Sequence, residues 1–135
     1  MSRSGYSDDF DGWDLIRYRG AVASAMRGKR GQAFLKEMLA ALDQLEPKRL
    51  IADELVKEGE ACAIGAVAVA RKLDISEMDP ENIEGVAQVF GISDAMAREI
   101  VFENDQDWSY RDETPEARYT RMHKWVESQI LKPEA

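Results

Sequence analysis

The 135 residues include a single cysteine, Cys62, and a single histidine, His123. One cysteine excludes an internal disulfide framework and a cysteine-built zinc cluster. One histidine excludes a histidine-rich metal site, so neither a metal nor any other cofactor is expected. No apolar run approaches the roughly 20 residues that a membrane-spanning helix needs, so no membrane partner is expected. The opening Met1-Ser2-Arg3-Ser4-Gly5-Tyr6-Ser7-Asp8-Asp9 lacks the apolar stretch of a secretory signal, which points to a cytoplasmic protein. Glycine-rich phosphate loops, nucleophile elbows, internal repeats and low-complexity tracts are all absent. What remains is 44% hydrophobic and 33% charged, the composition of one foldable globular domain.

Charge is laid out unevenly. Residues 1–72 hold 12 Lys/Arg and 11 Asp/Glu, whereas residues 73–135 hold 6 and 15. Between Leu15 and Lys36 there are six cations and no acid; between Asp74 and Glu116 there are two cations and thirteen acids. Either the two segments fold against each other, or each presents a charged surface of one sign. An acidic surface repels nucleic acid and attracts basic protein surfaces, chiefly by speeding encounter.

Periodicity predicts a mainly α fold of five or six short helices in a single domain, residues 12–131. A loose arm (1–11) precedes it and a frayed tail (132–135) follows. Asp11 can cap a first helix whose apolar face is Trp13, Ile16, Val22, Ala23 and Met26, and which Gly28 stops. Gly31 then opens a helix running to Leu45, with a broad stripe of Phe34, Leu35, Met38, Leu39, Leu42 and Leu45. Residues 49–65 read either as a β-hairpin turning at Lys57-Glu58-Gly59, the preferred reading, or as two successive helices. Ala66 to Leu73 reads as a small-residue helix. Asp79-Pro80 marks another helix start, carrying Ile83, Val86, Ala87 and Phe90 inward until Gly91. Ser93 caps the next, and Thr114-Pro115 begins the last, with Met122, Trp125, Val126 and Ile130 on one side.

Candidate chemistry is sparse. Val86 to Ile100 has the spacing of a helix-turn-helix, but Arg98 is the one cation on a second helix that also carries Asp94, Glu99, Glu103 and Asp105. It therefore reads as a packing corner. Cys62 lies among small apolar residues and reads as a buried hydrophobe rather than a nucleophile, which needs a nearby base. Asp8, Asp9, Asp11 and Asp14 lack the ordered spacing of a calcium loop. Asn104, Asp105, Asp107, Asp112 and Glu113 have the oxygen chemistry of a hard-cation site and equally that of a polar loop. Arg27-Gly28-Lys29-Arg30-Gly31 forms a cationic corner where helix-start amides also favour anions.

Several of these stretches resemble one known group. They are Asp11-Gly12-Trp13 with Ile16 to Val22, Cys62-Ala63-Ile64-Gly65-Ala66-Val67, and Ala97-Arg98-Glu99-Ile100 leading to Asn104-Asp105. Thr114-Pro115-Glu116 with Arg118 and Trp125 fits as well. Together they resemble small uncharacterised proteins common in phages and prophages of proteobacteria, over most of the chain. The resemblance implies a phage-encoded protein inside a host cell and carries no catalytic assignment.

With no assembled active site, the expectation is a non-enzymatic interaction protein that binds and modulates a host protein. An inhibitor of a nucleic-acid-handling or anti-viral defence complex fits best, through an acidic face of Glu81, Glu84, Asp94, Glu99, Glu103, Asp105 and Asp107. The alternatives are a nucleic-acid binder using the basic corner (Arg17, Arg19, Arg27, Lys29, Arg30) and a structural phage component.

Overall fold

The computed structural model describes residues 12–105 and 113–132, with side chains from residue 20 onward. The mainly helical expectation holds. Helices α1 (Gly12–Arg27) and α2 (Lys29–Gln44) are separated by Gly28 alone. A two-stranded hairpin, β1 (Val56–Lys57) and β2 (Glu60–Ala61), leads into α3 (Ala63–Arg71). Then come α4 (Ile83–Phe90), α5 (Asp94–Asp105) and α6 (Pro115–Gln129).

The apolar stripe of α2 builds one wall of the core, with Phe34, Leu35, Met38 and Leu42 all buried. It packs against α1, α3 and α6, while α5 packs against α1, α3, α4 and α6. Helix α3 lies between these walls: Ala63 through Ala68 are buried without interruption. Small side chains let neighbours approach it from every side, and each large aliphatic side chain removed from water contributes roughly 1.5–3 kcal/mol. Helix α6 contributes Met122 and Val126, with Trp125 and Ile130 packed at the margin.

Local chemistry explains most boundaries. Ser93 Oγ accepts from Met96 N (3.1 Å) to start α5, and Thr114 Oγ1 accepts from Ala117 N (3.1 Å) with Pro115 at the first helical position. Gly91 ends α4 at φ 73°. In the hairpin, antiparallel pairs Val56–Ala61 and Lys57–Glu60 close on Glu58 (φ 53°) and Gly59 (φ 83°). Positive φ at both turn residues defines a type I′ turn.

Four sequence expectations need correction. Gly31 lies inside α2 rather than opening it. Its place is a matter of clearance, because a Cβ there would collide with the Ala25 carbonyl where α1 and α2 cross. Ala23 is exposed rather than core-facing. Helix α3 begins three residues earlier than Ala66, since Cys62 and Asn104 supply its start from side chains. Helix α4 begins at Ile83 rather than at Pro80: the Asp79 carboxylate accepts from Glu81 N (2.9 Å) in a local turn, and Asn82 caps the helix through Gly85 N. Asp11 lies outside the described residues, as do the acids at 8 and 9 and residues 133–135.

Candidate functional site

The two most distinctive sequence elements, Cys62-Ala63-Ile64-Gly65-Ala66 and Asn104-Asp105, are parts of one buried joint. Cys62 is the N-cap of α3, its Sγ accepting from Gly65 N (3.3 Å). Gly65 lies against the backbone of Leu55, whose carbonyl a Cβ would strike and which accepts from Cys62 N at 2.9 Å. Asn104, 1% exposed at the end of α5, accepts from Ala63 N (3.1 Å) and donates to Ile51 O (2.9 Å) and Asp105 Oδ1 (2.9 Å). Asp105 Oδ1 also accepts from Asp53 N (3.2 Å), where the chain passes through φ 68°.

Helix α6 closes the joint from the other side. Arg118 Nε donates to Asn104 O (3.0 Å), and Arg121 Nη2 donates to the same carbonyl (3.1 Å). Arg121 also reaches Glu103 O. Two guanidinium groups thus satisfy carbonyls that the helix leaves open at its negative end. Glu113 holds both arginines, with contacts of 3.3 Å to Arg118 and 2.7 Å to Arg121. Every one of these polar groups is engaged with backbone or with a neighbour, so the joint orders the 50–63 loop rather than presenting reactive atoms. Among the described residues, no group of three or more His, Cys, Asp or Glu has the geometry of a metal site. Cys62 is buried, at 1% exposure.

The expected acidic face is divided. Glu99 (3% exposed) and Asp105 (4%) are buried, and Glu103 is half-buried, so these three do not belong to an open surface. A helical repeat turned them inward: α5 is covered by α1, α3, α4 and α6, which leaves it little outer face. Asp107 lies outside the described residues. Glu81, Glu84 and Asp94 are exposed, and they belong to a longer strip. From residue 73 to 97 there are six acids and no cation. All six, Asp74, Glu77, Asp79, Glu81, Glu84 and Asp94, are exposed and make no ion pair among the described residues. Asp74 is held below the usual carboxylate range by the Ser76 backbone N–H and then by its hydroxyl. Glu84 and Asp94 stand in the first turns of α4 and α5, where a carboxylate complements the helix dipole.

The basic corner is equally open: Arg27, Lys29, Arg30 and Lys36 are exposed. Gly28 caps α2 with no side-chain hydrogen bond and no acid lies in the first turn. The side chains of Arg17 and Arg19 lie outside the described residues. His123 is half-buried and bonded through Nε2 to Asp43 Oδ1 (2.7 Å), tying α6 to α2.

A groove of about 360 Å³ lies between α1, α5 and α6. Val22 and Met26 form one wall, Glu99 and Glu103 the second, and Trp125 and Gln129 the third. Gln32 fixes its edge, donating to Met26 O (2.8 Å) and Gln129 O (3.0 Å) and accepting from Leu131 N (2.8 Å). Neither this groove nor the Arg118–Arg121–Glu113 closure was foreseen from the sequence. Arg118 had a usable signal, because it falls on the same four-residue repeat as Met122 and Val126.

Comparison of the chain with protein-family models, with curated proteins and with solved structures finds no match. The functional reading therefore rests on the surfaces just described. No helix among the described residues is long and apolar enough to cross a membrane.

Proposed function

We propose that the chain is a non-enzymatic interaction protein that binds and modulates a host protein through its acidic strip. The observation that carries this reading is the run from residue 73 to 97, with six exposed acids, no cation and, among the described residues, no ion pair on any of the six. Carboxylates presented in this way complement a basic groove, such as that of a nucleic-acid-handling or anti-viral defence complex, and speed encounter with it. The resemblance to phage and prophage proteins supports a host component as partner. A capture experiment from nuclease-treated host lysate tests the idea. The tagged protein is expected to retain one host protein in stoichiometric amount at low salt and to release it at high salt. The Glu77→Lys/Glu81→Lys/Glu84→Lys variant is expected to retain none. Undiminished capture by that variant sinks the reading.

A second reading rests on Arg27, Lys29, Arg30 and Lys36, four exposed cations without an ion pair among the described residues. These would contact a nucleic-acid backbone, with affinity that falls steeply as salt rises. Filter binding at low salt decides it: no retained nucleic acid removes this alternative.

A further inference from the structure

We draw no further inference here: the strongest candidate, the groove between α1, α5 and α6, carries none, because Glu99 and Glu103 on its wall already hold partners within the protein and nothing in the structure shows what covers its apolar side.

Discussion

Two stretches of this chain use the same polar residue types to opposite ends. At the close of α5, Asn104 and Asp105 are buried and their side chains bond to three backbone groups, at Ile51, Asp53 and Ala63. Along 73–97 the carboxylates face water, and those that bond internally do so only with their own turns. The difference lies in what surrounds each helix. Helix α5 packs on four others, so its polar groups must find partners inside, whereas the α3–α4 connection lies over the surface and leaves its acids open. Substitutions should therefore be severe at the joint and nearly silent for folding on the strip.

The largest effect is expected from Asn104→Leu. The substitution removes one acceptor and two donors and leaves Ala63 N, buried, and Ile51 O, half-buried, without that partner. At roughly 1–3 kcal/mol for each group left unsatisfied, a loss of about 4 kcal/mol follows. Urea unfolding followed by circular dichroism measures it, and a loss below about 1 kcal/mol would mean that the joint is not what orders the 50–63 loop.

Gly65→Ala comes next. Its methyl group meets the Leu55 carbonyl, which also accepts from Cys62 N, so the backbone has to move. Overpacking of this kind costs about 1–3 kcal/mol. Cys62→Ser is the informative partner experiment, since a serine hydroxyl also caps a helix. A stability change much smaller than that of Gly65→Ala would show that a hydroxyl replaces the Cys62 thiol as the α3 cap.

At the strip the expectation reverses. Glu81→Lys should change stability by no more than about 0.5 kcal/mol, because its exposed side chain neither caps α4 nor enters the core. Glu84→Lys should cost a few tenths more, because it puts a cation at the positive end of α4. Thermal unfolding of both variants, beside their loss of captured partner, separates a surface kept for binding from one kept for folding.

How far the sequence revealed this arrangement follows from the same contrast. Periodicity was enough to place α2 and α4, which bury one apolar stripe each, and turn chemistry was enough to place the hairpin at Gly59 and the starts of α5 and α6. The strip's acids were also readable, although Glu99 and Asp105 were grouped with them. Charge in a linear sequence carries no sign of which helix will be covered on all sides, and α5 was. The start of α3 was missed for a related reason. Part of its cap comes from Asn104, 41 residues away, and a partner at that distance leaves no local mark. The groove belongs to the same class, since three helices form it and no single one contains its pattern.

A further small effect concerns pH, at a pair that ties α2 to the end of α3. Glu37 on α2 accepts from Arg71 Nε (2.7 Å) and Nη2 (2.6 Å) at the end of α3, and the guanidinium lies 6.0 Å from the Phe34 ring centre and 5.6 Å from that of Phe90. The side-chain hydrogen bond to Arg71 is the main reason that Glu37 is held below the usual carboxylate value of 4.5, against a smaller opposing effect of burial. A carboxylate with a depressed folded-state pKa contributes stability above its unfolded pKa, and loses it as pH falls through the folded value. The contribution is thus complete at neutral pH and fades in the acid range below 4.5. Both side chains are about one third exposed, so water screens the pair and the whole effect should stay within roughly 0.2–1 kcal/mol. Glu37→Gln should accordingly be slightly less stable than the parent at pH 7, and the gap should narrow toward pH 3. A gap that widens on acidification would mean that burial, rather than Arg71, governs Glu37, and that the end of α3 is closed by its aromatic contacts alone.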